Sequence, residues 1–403
     1  MSTDSLPRTS YRLLVGIALG AMLAGSAALA QDPVPDTLFV ERLDVDVINV
    51  EVFVTDRDGR RVADLAPDDF ELLVDGQPAE ISNFYVAYRE DKVLDAAERG
   101  APIQLTPEER PDEQRLHLMV YVDHYNMAPG NRKRVLDSLA NFLEDRVGQG
   151  DRVMLAGFDG NFEVAQTFTD DLGVLLQGID KLGEYATHRQ VVDAERRWAQ
   201  KAIAGAALEI PPDATSAHGH LRTFVQSVEA GVRRSAGALR GAVRSLGGLP
   251  GRKAVLYVGE GLARRPGEEL YQHMLDIFGQ AGLRQLTDAG VTSDPTVEMI
   301  GRDQGHLFQQ VIQDANAHQV TLYSIDARGP SGSSSLSAAA PSMSGGPSGS
   351  TLVDATRTHS QQETLIQMAT ATGGATALGT FAFGGALDRM ARDFDTYYSL
   401  GYR

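Results

Sequence analysis

Leu-His-Leu-Met-Val-Tyr-Val-Asp-His-Tyr-Asn-Met, residues 116–127, is the stretch on which the fold turns. About six mostly apolar residues open it, too few to span a membrane and the right length for a parallel strand buried on both faces. The run breaks at Asp123 into polar residues, Pro129 and Gly130 follow, and a helical pattern starts at Asn131. In an open α/β sheet, ligands bind just beyond the carboxyl ends of strands. Asp123 stands at such an end.

Downstream, Arg132 to Val147 repeats Val135, Leu139, Phe142 and Leu143 at helical spacing, and Gly148-Gln-Gly150 ends the run. Asp151 to Phe158 reads as the next strand, Asp159-Gly160-Asn161 as a tight turn, and Phe162 to Phe168 as its antiparallel partner. Thr169-Asp170-Asp171 caps a helix from Leu172 to Leu182. Residues 184–250 form an insertion with two helical arms, Val191 to Leu208 and Leu221 to Leu246, joined through Pro211-Pro212-Asp213. Trp198 lies in the first arm and is expected to pack in a core, with a recognition hot spot as its other reading. Arg252 to Gly259 is a third parallel strand, followed by Glu260-Gly261. Helices are expected over Leu270 to Ala289 and Met299 to Ala317, and a strand over Gln319 to Ile325. Residues 329–350 are dominated by Ser, Gly, Ala and Pro and are expected to form a flexible loop. A helix over Ser360 to Ala371, ended by Gly373-Gly374, a strand over Ala375 to Thr380 and a helix over Leu387 to Phe394 complete the set. The fold class is α/β, with a mostly parallel sheet flanked by helices.

Upstream, residues 37–88 read as a small β module. Val45, Val47, Val50, Val52 and Val54 nearly alternate, as do Phe70, Leu72 and Val74, and Asp56-Arg57-Asp58-Gly59 and Asp75-Gly76 supply turns. Asp56, Asp58, Asp68 and Asp69 read as turn-forming residues. Residues 89–113, charged and carrying Pro102, Pro107 and Pro111, read as a linker to an α/β domain over 114–403. In the first thirty residues, Arg8 and Arg12 precede the apolar run Leu13 to Ala24, and Ala28-Leu29-Ala30 is a small-residue cleavage pattern. Residues 1–30 are therefore expected to be a signal peptide cut after Ala30, which makes the protein exported, periplasmic or extracellular. No later stretch reaches the length of a membrane span.

The order of these pieces resembles secreted bacterial proteins, abundant in acidobacteria, related to the von Willebrand factor type A domain. The resemblance rests on five passages. These are the strand ending at Asp123, Leu65-Ala-Pro-Asp-Asp-Phe70, Asp151 to Phe158 with Thr169-Asp170-Asp171, Thr372-Gly373-Gly374, and the tail Tyr397-Tyr-Ser-Leu-Gly-Tyr402. It implies an immunoglobulin-like module before a von Willebrand factor A-like domain. It also implies a metal-ion-dependent adhesion site, in which Asp-x-Ser-x-Ser holds a divalent ion and a partner's carboxylate completes the shell. Here Tyr125 and Met127 replace both serines, so the site is degenerate. Thr187 falls roughly at the second motif, and Glu260 stands where the family has an Asp. Asn126 could add an amide oxygen. Asp123, Asn126, Thr187 and Glu260 are therefore the candidate ligands for Mg²⁺ or Mn²⁺, against the reading of a vestigial polar rim.

Composition narrows the partners. A formal charge of −17 argues against binding nucleic acid through phosphates, and the absence of cysteine leaves no disulfide or thiolate site. No Gly-x-Ser-x-Gly, His-Glu-x-x-His or P-loop pattern occurs. His124 could act as a base only beside a nucleophile, and His218-Gly-His220 reads as a solvated loop pair. The expectation is a secreted, non-enzymatic protein that binds a protein or peptide through the sheet top. The alternatives are a metal-assisted hydrolase and a structural envelope component.

Overall fold

Eight consecutive residues of β5 (Leu116–Asp123) and eight of β8 (Arg252–Gly259) are all buried. Burial on both faces explains why these strands read as nearly unbroken apolar runs. The computed structural model describes residues 48–52, 54, 56, 62, 65–87, 115–146, 151–291, 294–329, 347–380, 383–384, 387, 390 and 397–402. The signal segment 1–30, the linker 89–113 and most of the 329–350 loop lie outside them. Everything described belongs to one unit, Val47–Arg403.

The main sheet has six strands in the order β10-β9-β8-β5-β6-β7. Besides β5 and β8 these are β6 (Arg152–Phe158), β7 (Phe162–Thr169), β9 (Val320–Asp326) and β10 (Thr376–Ala377). All pairings are parallel except that of the edge strand β7 with β6. From β5 the chain first builds outward to β6 and β7, then crosses to β8 on the other side. The carboxyl ends of β5 and β8 therefore flank a topological switch point, where open α/β sheets leave a crevice.

Alternation along β5 divides the core. Leu118, Val120 and Val122 face α1 (Pro129–Arg146) and α2 (Leu172–Gly183), through Leu139, Leu143 and Leu182. Met119 and Tyr121 face the other layer, through Val232 and Leu239 of α4 (Ala214–Ser245) and Phe308 of α7 (Gly305–Ala317). α8 (Pro347–Thr370) adds Leu365 and Met368 to that layer. A third cluster, with Ile203, Leu221, Val225, Leu270 and Met274, joins α3 (Arg189–Ala207) and the first half of α4 to α5 (Glu268–Asp288). Helices α3 and α4 thus form a hairpin with its own apolar seam.

Several boundaries differ from the sequence expectation for local reasons. α4 starts at Ala214, because the Asp213 carboxylate accepts hydrogen bonds from the amides of Thr215 and Ser216, both at 3.0 Å. His218 and His220 are therefore helical, and His218 is buried with Nε2 2.8 Å from Glu298 Oε2. Trp198 is 57% exposed and meets His220 edge-on, so it is no core residue. The run from Met299 to Ala317 is broken into α6 (Pro295–Gly301) and α7, with Arg302 turned back onto Glu298 at 2.7 Å. α8 begins at Pro347, ahead of Ser360. β10 has only two residues. Of the helix expected over Leu387 to Phe394, only Leu387 and Met390 are described, both buried.

Ahead of β5 the described strands are β1 (Ile48–Val52), a hairpin of β2 (Leu72–Val74) and β3 (Gln77–Ala79), and β4 (Asn83–Ala87). β1 and β4 do not pair with each other. β11 (Tyr397–Tyr402) lies between them, antiparallel to both. The tail expected to close the α/β domain is thus the central strand of the small sheet. Tyr398 explains the placement: its buried ring packs 5.0 Å from Phe70 and 5.9 Å from Phe84. Its hydroxyl donates to the Val62 carbonyl at 2.8 Å and accepts from the Leu65 amide at 3.1 Å.

Two predictions follow from this packing. A chain ending at Thr396 should lose amide-exchange protection throughout β1 and β4 while β5, β6 and β8 keep theirs; hydrogen-exchange mass spectrometry reads both. Glu298 is opposed by burial, yet hydrogen bonds from Arg302 and His218 hold its carboxyl below the usual range. Its stabilisation is therefore complete above the unfolded glutamate pKa of about 4.3 and is lost as pH falls through the lower folded value. Glu298→Gln should cost about 1.5–3 kcal/mol at pH 7, and the gap to wild type should close in acid, measured by urea unfolding across pH.

Candidate functional site

Asp123 closes β5 with no exposed surface. Both of its oxygens are engaged. Oδ1 accepts the Asn126 amide at 3.1 Å, and Oδ2 accepts Asn126 Nδ2 at 2.8 Å and the Tyr257 hydroxyl at 2.6 Å. Tyr257 reaches across from β8 because Gly259 stands beside it; a Cβ at Gly259 would lie 3.0 Å from the Tyr257 hydroxyl and 3.1 Å from the Asp123 Cβ. Burial pushes the Asp123 carboxyl up, the Tyr257 and Asn126 hydrogen bonds oppose that, and the Glu260 charge adds to it. Asn126 Nδ2 also donates to Ser235 on α4 at 2.9 Å, tying the loop to the insertion.

Tyr125 and Met127 serve packing. Met127 is fully buried in the core below the loop. The Tyr125 ring stacks on His188 at 4.5 Å, and its hydroxyl accepts from Arg234 Nη2 at 2.6 Å. His124 is fully buried with neither ring nitrogen hydrogen-bonded among the described residues. Burial, then the charge of Arg132, lowers its pKa to about 3. Such an imidazole is neutral and a poor proton acceptor near pH 7.

Glu260, just past β8, is also buried. Its Oε1 accepts from the Ala128 amide at 2.8 Å and Asn131 Nδ2 at 2.9 Å, and its Oε2 lies 3.3 Å from Arg189 Nη1. Arg189 begins α3, and its Nη1 also donates to the Asn126 carbonyl at 3.4 Å. Its Nε meets both oxygens of Asp193, at 3.1 and 3.0 Å. Burial works against the charged guanidinium, but Glu260 and Asp193 outweigh it and raise the Arg189 pKa. Three of the four candidate ligands, Asp123, Asn126 and Glu260, thus meet at the switch point. Thr187 is half-buried nearby, and no hydrogen bond joins it to the other three among the described residues. Arg189, two residues on, makes the connection instead.

This donor set does not suit a hard divalent cation. Mg²⁺ takes near-octahedral oxygen ligands at about 2.0–2.1 Å. Here each oxygen of Asp123 and Glu260 already faces at least one N–H or O–H donor, and a guanidinium carries the positive charge beside Glu260. Asn126 turns its NH₂ group toward Asp123 and Ser235. A metal would have to displace these contacts.

Comparison with known proteins adds little. No family model matches the chain, and no curated protein matches it. Among solved structures, an aerotolerance-related membrane protein from Bacteroides fragilis, carrying multiple mutations to serines, is 10% identical. That match covers 69% of this chain and 98% of the other, with a TM-score of 0.35. A mutant of the PilB minor pilin from Streptococcus sanguinis is 11% identical over 73% of this chain and 63% of its own, with a TM-score of 0.38. Three amino-terminal domains of the type V pili tip protein Mfa5 from Porphyromonas gingivalis are 10% identical over 71% of this chain and 50% of theirs, with a TM-score of 0.32. Similarity at this level carries no argument about partners or activity.

Arg189→Met should strand buried Glu260 and cost about 3–5 kcal/mol in urea unfolding. Arg189→Lys should recover only part of the loss, since a lysine cannot fork between Glu260 and Asp193. EDTA should leave the melting temperature of the wild type unchanged.

Proposed function

We propose that the chain is an exported binding protein of the von Willebrand factor A-like kind, with an immunoglobulin-like strand module and a degenerate adhesion site. Its sheet-top face receives a protein or peptide partner, and its role is non-enzymatic. The observation that carries this reading is the form of the switch point. The polar groups there are spent on holding one another, and beside them opens a cavity. Tyr125, Asn126 and Arg189 line one side of it, and Phe224, Val228 and Val232 of α4 another. A concave surface with an apolar wall and a few fixed polar groups suits recognition. His124, held near a pKa of 3, gives hydrolysis no support. The segment 1–30 supports export, and no described helix is long and apolar enough to cross a membrane.

The test is selection of a random-peptide display library on the immobilised protein, counter-screened against Ser227→Trp. Ser227 is exposed and lines the cavity, so a tryptophan there should block it with little change in melting temperature. Selected peptides should bind the wild type and lose at least about tenfold in affinity on the variant. Peptides that bind both proteins equally, or that are cleaved on incubation, would sink the reading.

A further inference from the structure

The cavity beside the switch point has an apolar wall, made by Val192 of α3, by Phe224, Val228 and Val232 of α4, and by Ala263. Its ionic groups are already matched. Arg189, Arg196 and Arg357 stand among Asp193, Glu260 and Glu269, three cations with three carboxylates. Asp193 takes Arg189 Nε at 3.1 and 3.0 Å and Arg357 Nη1 at 3.1 Å, and Glu260 lies 3.3 Å from Arg189 Nη1. An ion of either sign entering here would leave water and find no spare counter-charge. An apolar group meets no such penalty and gains from the apolar wall.

Gly231 is a second, independent observation. It is buried within the 32-residue α4 and lines the cavity. A glycine inside a helix is less favourable than an alanine, because it loses more backbone freedom on folding. Crowding does not require it here. A Cβ at Gly231 would lie 3.4 Å from Tyr125 Cε1 and 3.7 Å from the Tyr125 hydroxyl, within ordinary contact. The missing side chain instead leaves space beside the Tyr125 ring, on the same face of α4 as Phe224 and Val228 one and two helical turns back.

We propose that the cavity is the anchor pocket for an uncharged, apolar side chain of the bound peptide, seated over Gly231 beside the Tyr125 ring. The proposal rests on the peptide-binding reading above and adds the chemistry of the anchor, which excludes acidic and basic residues at that position.

The experiment uses peptides selected on the wild type and blocked by Ser227→Trp. Each is resynthesised with every position replaced in turn by Ala, Glu and Lys, and titrated into the full chain by calorimetry. One apolar position should lose about tenfold or more on truncation to Ala, and at least as much with Glu or Lys. Gly231→Ala should melt no lower than the wild type, since alanine favours the helix. It should nevertheless bind the unchanged peptides about fourfold more weakly, the effect of one displaced methylene, and the penalty for truncating the anchor should shrink. If that variant fails to fold, the replacement series on the wild type still decides. Peptides whose affinity rests on an acidic or basic residue, with no apolar position that matters, overturn this proposal and leave the peptide-binding reading standing. Equal binding to Gly231→Ala and the wild type likewise overturns it. A library yielding no peptide sensitive to Ser227→Trp removes both.

Discussion

Arg189 enters the top of the sheet 3.3 Å from Glu260 and clasps Asp193 one helical turn further along its own helix. Two strands end here in carboxylates, Asp123 on β5 and Glu260 after β8, and neither reaches water. Like charges at buried, neighbouring strand ends repel unless donors or a cation intervene. The protein answers with donors for Asp123 and a guanidinium for Glu260. A buried ion pair offsets its desolvation cost only when its remaining hydrogen-bonding positions are filled. The Ala128 amide and the Asn131 side chain fill those of Glu260. The α3–α4 hairpin thus delivers the cation that lets the switch point close.

The same constraint ties the root of the α3–α4 hairpin to the sheet top. Ser235 of α4 binds Asn126, Arg234 binds Tyr125, and Arg189 of α3 binds Glu260. With Arg189 also donating to the Asn126 carbonyl, the loop after β5 is held from both α3 and α4. The far end of the hairpin rests instead on apolar packing with α5, on the His218–Glu298 hydrogen bond and on the ion pair of Glu298 with Arg302.

Legibility in the sequence followed burial. β5 and β8 could be read almost to the residue because both faces are covered, and the residues that gather at their ends, Asp123 and Glu260, follow from that. Arg189 was not legible. An arginine four residues before an aspartate on an amphipathic helix ordinarily marks a solvated face, and nothing local shows that this one is buried. The available signal was indirect: two acids at adjacent strand ends require donors or a counter-charge from elsewhere. Tyr257 was hidden because a tyrosine within an apolar strand reads as core, and its hydroxyl finds Asp123 only through pairing. The start of α4 was missed because Thr215-Ser216 and His218-Gly-His220 look like loop chemistry, while tertiary burial of Ala214, Ala217 and Leu221 sustains the helix. The central position of β11 depends on partners more than 300 residues away, as the Leu65–Tyr398 bond shows, and no local pattern encodes such a pairing.

That pairing has a mechanical side. Ile48 lies opposite Tyr402 and Val52 opposite Tyr398, so the chain enters β1 and leaves β11 at the same end of the ladder. Tension drawn between these two points opens the ladder like a zipper, one residue pair after another, where strands pulled from opposite ends would resist as a block in shear. The small sheet is thus arranged to yield gradually under load along the chain. The slack so released reaches the six-stranded sheet only after β11 has peeled away.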